Sequence, residues 1–74
     1  MSVVEQGQLA GDFEGFNDEN TVFEFHVGGK WRQARYHYHY HYAYMPMAKV
    51  VQEGGRQVLY VQGVGVGIEV ERVY

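Results

Sequence analysis

The chain has 74 residues, no cysteine and a formal charge of −3, from 6 basic and 9 acidic side chains. This length allows one small domain, and the missing thiols exclude disulfides and thiolate zinc sites. The acidic balance argues against a nucleic-acid ligand, because such binders usually present a basic surface. No run of about 18 apolar residues and no signal-peptide pattern is present, so we expect a cytoplasmic protein without a membrane partner.

The first half of the chain predicts an arm followed by strands. Residues 1–8 are polar without a clear period, and they predict a flexible N-terminal arm before a single β-barrel domain over 9–74. A first strand is expected over 9–16 and a turn over 17–20, where Asn and Asp are favoured. A second strand follows over 21–27.

A glycine pair separates the second strand from the third. The second strand would place Phe23, Phe25 and Val27 on one face. A three-residue loop, Gly28 to Lys30, would then put Trp31 opposite Val27 and bury the tryptophan.

The second half predicts a hairpin and a closing strand. Strands are expected over 47–53 and 56–62, joined by the two-residue turn Gly54-Gly55. A flexible connection over 63–67 leads to a last strand over 68–73, with alternate residues inward. The facing pairs of the hairpin are Val50 with Leu59 and Ala48 with Val61. Ten glycines and frequent turn signals therefore predict an all-β barrel or sandwich of five or six antiparallel strands.

The most distinctive segment alternates tyrosine with histidine from Tyr36 to Tyr44. In a strand, one face would carry Tyr36, Tyr38, Tyr40, Tyr42 and Tyr44, and the other His37, His39, His41 and Ala43. The extended segment from Trp31 to Tyr44 would span about 46 Å, against about 17–20 Å for a typical strand. It must bend, break at a bulge or project. Simple alternation from an inward Trp31 and Gln33 would send the histidines inward, a parity break between Gln33 and Tyr36 would send the tyrosines inward, and the sequence does not decide between the two.

The three histidines raise the question of a metal site. Imidazole is a common metal ligand, and His37, His39 and His41 repeat at about 6.6–7 Å along one face. Three such rings cannot converge on a flat strand, so a site would need a ligand such as His26 or Glu24. The alternative is an exposed or interface stripe that binds divalent metal weakly, and no cofactor is expected.

Few residues of this chain are candidates for catalysis. Ser2 is the only serine and Thr21 the only threonine, and no carboxylate–histidine constellation is identified by spacing. We therefore expect no enzymatic activity.

Several short motifs resemble a small bacterial domain of unknown function. They cover roughly Gly11 to Val73. The motifs are Gly11-x-Phe13-x-Gly15-Phe16, Thr21-Val22-Phe23-x-Phe25, Gly29-x-Trp31-x-Gln33, Tyr42-Ala43-Tyr44, Pro46, Val50, Val61-x-Gly63-Val64-Gly65 and Val70-x-Arg72-Val73. The resemblance implies a compact SH3-like barrel and no catalytic residues, and proteins of this kind also look like products of mobile gene cassettes.

Two interaction roles follow for the aromatic residues. Trp31 and the five tyrosines would form a platform for a peptide or small aromatic ligand. Alternatively, Trp31 is core and the tyrosines join copies of the chain into a homodimer or larger oligomer, because tyrosine is enriched at interfaces. We expect the second role, a non-catalytic self-associating protein.

Overall fold

The computed structural model describes residues 2–73, which contain strands and no helix. No part of that range is a helix that could cross a membrane. The strands in chain order are β1 (Ser2–Gln8), β2 (Asp12–Phe16), β3 (Val22–Glu24), β4 (Lys30–Gln33), β5 (His39–Tyr44), β6 (Met47–Glu53), β7 (Arg56–Val61) and β8 (Ile68–Val73). The all-β prediction is confirmed.

The strands form two antiparallel sheets. Six strands lie in the order β1-β6-β7-β8-β4-β3, and β2 pairs with β5 in a separate two-stranded ribbon. Strand pairing does not close these sheets into a barrel. Beyond the ends of the two outer strands of the larger sheet, an isolated bridge joins Leu9, after β1, to Phe25, after β3. Beside it, Ala10 N donates to Glu24 O at 2.8 Å.

The core receives side chains from both sheets. Phe13 and Phe16 of β2 pack against Phe23 of β3, with ring centroids 5.9–6.1 Å apart. The larger sheet supplies the rest, including the fully buried Trp31. These aromatic contacts hold the two-stranded ribbon against the larger sheet.

The predicted flexible arm is wrong for Ser2–Gln8, which form β1 and pair with β6 along most of its length. The carboxylate of Glu5 explains why this segment is fixed in place, because it accepts hydrogen bonds from Trp31 Nε1 at 2.6 Å and from Gly29 N at 2.8 Å. Met1 lies outside the described residues.

The two predicted hairpins have opposite outcomes. The strand Met47–Glu53 and the Gly54-Gly55 turn are confirmed with their register. The loop over 28–30 is wrong, because Trp31 pairs with Phe23 and the connection spans 25–29. Val27 is consequently 85% exposed rather than part of the core face.

The long third segment breaks into two strands. β4 ends at Gln33 and β5 begins at His39, so residues 34–38 form a connector. This break and the N-terminal strand account for eight strands where five or six were predicted.

Candidate interaction surface

The outer face of β5 carries tyrosines with their rings in solvent. Tyr40, Tyr42 and Tyr44 are 54–69% exposed, while the alternate residues of the strand are half-buried. Tyr36 and Tyr38 of the connector are also more than 60% exposed. We call Tyr36–Tyr44 the tyrosine segment. Within β5 the histidines therefore face the protein and the tyrosines face outward, whereas His37 of the connector is exposed like its neighbours.

The ribbon of β2 and β5 positions these rings. Asp12 pairs with Tyr44 and Gly15 with Tyr40, and the register shifts between Phe13 and Gly15. Gly15 has a φ of +104°, and a Cβ there would overlap the carbonyl oxygen of His39 and lie 2.8 Å from His41 N. Only glycine permits this close approach of the two strands.

The connector before β5 is held by a buried amide. The side chain of Gln33 is fully buried. Its Nε2 lies 2.8 Å from Asn17 O, 2.7 Å from Arg35 O and 3.3 Å from His37 O, and its Oε1 accepts from Asn17 N at 3.0 Å. One side chain thus fixes the start of the tyrosine segment against the turn after β2.

The three histidines do not assemble as a metal site. His37 and His39 stack with ring centroids 6.5 Å apart and an interplanar angle of 22°. Both rings also pack near Phe16, with ring centroids 6.3 and 6.4 Å from that of Phe16. His41 lies near Gly63 instead. Across residues 2–73, no three histidine, aspartate or glutamate side chains come together as ligands for a metal ion.

Trp31 does not belong to the exposed surface. Its side chain is fully buried, its indole N–H donates to Glu5, and the guanidinium of Arg72 lies 5.4 Å from its ring centroid. The predicted platform of Trp31 with tyrosines is therefore wrong in its tryptophan, and the tyrosines alone are accessible.

Carboxylates adjoin one end of the tyrosine segment. Tyr42 Oη donates to Asp12 Oδ1 at 3.1 Å. This hydrogen bond, with the negative charge of Asp12 and a smaller effect of Glu14, raises the pKa of Tyr42. Asp12 and Glu14 are both exposed, so this end presents negative charge.

Arginines adjoin the other end. A groove of about 300 Å³ is lined by Arg35, Tyr36 and His37 from the connector and by Arg56 and Tyr60 from β7. Arg35 Nε donates to Glu69 at 2.7 Å, and this bond raises the pKa of Arg35. Its side chain is still 71% exposed, whereas that of Glu69 is 24% exposed.

The carboxylates at the arginine end are engaged. Tyr60 donates to Glu53, and this hydrogen bond raises the pKa of Tyr60. Arg56 is exposed and forms no salt bridge among residues 2–73. This end therefore holds two arginines and two carboxylates, of which the arginines are the more exposed.

No family model, curated protein or solved structure matches this chain. The functional inference consequently depends on the residues of the surface itself.

Sequence reasoning found the tyrosines but missed the charged residues around them. Tyr42 donates a hydrogen bond to Asp12, which is 30 residues away in sequence. Arg56, at the start of β7, lines the same groove as Tyr36. No local motif signals either contact. A correct pairing of β2 with β5 would have indicated the first.

Proposed function

We propose that this chain is a non-catalytic interaction protein that self-associates through the tyrosine segment, within an SH3-like barrel of a small bacterial family and in the cytoplasm. The barrel is supported by the bridge from Leu9 to Phe25, which lies beyond the ends of the outer strands of the larger sheet. The self-association is supported by one observation above all, the exposure of five tyrosine rings on and beside one strand.

The area of these rings suits an interface. A buried aromatic side chain covers about 150–250 Å², and the five tyrosines leave 54–71% of their surface exposed. Together they offer on the order of 600 Å², which approaches the roughly 800 Å² that each partner buries in a standard interface. A monomer rarely leaves a larger apolar patch in water.

The size of the protein points the same way. A domain of about this length buries only about 60% of its unfolded surface, so a second copy is an available source of stability. Tyrosine suits such a contact because its ring buries area while its hydroxyl keeps a hydrogen bond.

A second copy is favoured over a free peptide by the form of the surface. Three of the tyrosines stand on the outer face of β5 and two on the connector before it, whereas the grooves that hold ligands are concave. The groove beside Tyr36 is lined mainly by charged and polar groups, which does not suit a small aromatic ligand.

Sedimentation equilibrium across a range of protein concentrations tests the proposal. Wild type should form a dimer or larger species, and Tyr38→Ala with Tyr40→Ala should weaken it by at least tenfold, as expected for buried tyrosines. Val27→Ser removes an apolar side chain that is 85% exposed on the β3–β4 loop, outside the tyrosine segment, and should leave association unchanged. A wild-type monomer at millimolar concentration would refute the proposal, and an NMR titration with peptides would then locate another partner.

A further inference from the structure

Two shallow hollows lie side by side on the face of β6 and β7 that points away from the core. The first has a volume of about 290 Å³, and its lining includes Met47 and Lys49 of β6 and Tyr60 of β7. The second has about 340 Å³ and is lined by the same Lys49 and Tyr60, together with Val51 and with Val3 of β1. Lys49 pairs with Tyr60 across the two strands, so this pair borders both hollows.

Both hollows expose apolar side chains to water. Met47 is 45% exposed in the first hollow and Val3 is 52% exposed in the second. A cavity of about 150 Å³ is enough to hold a benzene ring, so each hollow has room for a tyrosine ring. The tyrosine segment presents such rings on a protruding surface, and the hollows are the concave surface that fits them.

The spacing of the hollows matches the spacing of alternate tyrosines. Met47 and Val51 are four residues apart on β6, which corresponds to about 13 Å in a strand. Tyr40 and Tyr44 are also four residues apart on β5, and both are exposed on its outer face. Two rings of one copy can therefore enter the two hollows of another copy at the same time.

The charges distinguish the two ends of this match. Lys49 is the charged residue of the first hollow, and it forms no salt bridge among residues 2–73. Asp12 pairs with Tyr44, so a Tyr44 ring in the first hollow brings a carboxylate toward that ammonium group. The second hollow also includes the carboxylate of Glu53, which accepts a hydrogen bond from Tyr60 and would repel Asp12. The carboxylate end of the tyrosine segment therefore fits the first hollow.

Building on the proposed self-association, we infer that the tyrosine segment of one copy docks on the outer face of β6 and β7 of a second copy, with Tyr44 in the first hollow and Tyr40 in the second. β5 of one copy then runs antiparallel to β6 of the other. The contact joins two different surfaces, so it can occur twice in a reciprocal dimer or continue from copy to copy.

Complementation between two variants tests this docking. Tyr40→Ala with Tyr44→Ala removes the rings and keeps the hollows, whereas Met47→Glu with Lys49→Glu keeps the rings and places carboxylates in the first hollow. All four side chains are exposed, so the core stays intact. Each variant alone should dissociate at least tenfold more readily than wild type, because every contact lacks one of its two surfaces. An equimolar mixture should form a one-to-one complex at least tenfold tighter than either variant alone, since one variant supplies the rings and the other the hollows.

A matched control and a second measurement accompany the mixture. Val27→Glu with Lys30→Glu makes the same change of charge at two exposed positions outside the tyrosine segment and both hollows, and should associate like wild type. Sedimentation velocity with one variant labelled by a fluorophore detects the mixed complex. Dilution of wild type followed by NMR needs no variant, and the amides of Met47, Lys49 and Tyr60 should shift together with those of the tyrosine segment.

The outcomes separate this inference from the proposed function. Wild-type association that Met47→Glu with Lys49→Glu does not weaken would overturn the docking and leave self-association intact. A mixture no tighter than the separate variants, or dilution shifts in the tyrosine segment without shifts in β6 and β7, would do the same. A monomeric wild type would overturn the proposed function, and the docking with it.

Discussion

The buried amide of Gln33 offers the sharpest test of how the surface is built. Gln33→Met keeps a side chain of similar length but removes the donor to three carbonyls and the acceptor for Asn17 N. A hydrogen bond contributes about 1 kcal/mol net, and more when its buried partner is left unpaired. Allowing for water at these part-buried groups, we expect a loss of about 3 kcal/mol in the free energy of unfolding.

That loss is large for a chain of this size. Small domains have stabilities of about 0.05–0.15 kcal/mol per residue, which gives roughly 4–11 kcal/mol here. The variant should unfold about 12–24 °C below wild type, at about 4–8 °C for each kcal/mol. Urea unfolding measures the free energy, and amide exchange at His37, whose N–H bonds to Asn17 O at 3.1 Å, reports the connector itself.

Gln62 provides the matched control because it is exposed at the end of the hairpin. Gln62→Met should change the stability by less than about 0.5 kcal/mol. If Gln33→Met also fell within about 1 kcal/mol of wild type, with unaltered exchange at His37, the hydrogen bonds of the buried amide would not be what orders the connector.

Three further predictions concern the supports of the sheet and ribbon. Glu5→Ala should lower the free energy of unfolding by about 2–4 kcal/mol, because it removes two hydrogen bonds to a charged acceptor. It should also shift the fluorescence of Trp31, the one tryptophan. An unchanged spectrum and stability would contradict the assigned contact. Gly15→Ala should destabilise by about 2–4 kcal/mol through strain and overlap, whereas Gly55→Ala meets no neighbour within 4 Å and should be nearly neutral in the same melts. The folded state raises the pKa of Tyr42, so the hydrogen bond from Tyr42 to Asp12 stabilises the fold fully below the usual tyrosine pKa of about 10. This stabilisation is lost as the pH rises through the higher pKa of the folded state. Urea unfolding at pH 9 and 11 should therefore show a smaller alkaline loss in Tyr42→Phe than in wild type, and equal losses would contradict that coupling.

The sequence was most informative where local geometry decides the structure. The Gly54-Gly55 turn fixes its hairpin because a two-residue loop leaves one register that places Val50 and Leu59 on the same face. The alternation in the tyrosine segment likewise groups the tyrosines on one face of the strand and the histidines on the other, but which face is buried was decided by the connector and not by the alternation. The length of the extended segment also required the break that the connector supplies.

Contacts between residues far apart in the chain could not be predicted from the sequence. β1 has few apolar inward residues, so its polar pattern hid a strand whose order depends on Glu5 and on an indole 26 residues away. The β3–β4 loop was misjudged because Phe25, though buried as predicted, leaves the β3–β4 pairing, donates from its backbone N to Gly29 O and bridges to Leu9, a residue that is distant in sequence. The charged ends of the tyrosine segment escaped for the same reason, as each is assembled from separate strands.

The position of β8 in the larger sheet governs when the protein can fold during synthesis. This strand lies between β7 and β4, and β1 joins the sheet only through β6. On the ribosome, β4 can pair early with β3 but waits for β8 on its other side, and the sheet is complete only after residues 68–73 leave the exit tunnel. Contacts of such long sequence separation slow folding and leave unpaired edges exposed in the meantime. Nascent chains stalled before residue 68 should therefore be the form most susceptible to proteases and chaperones.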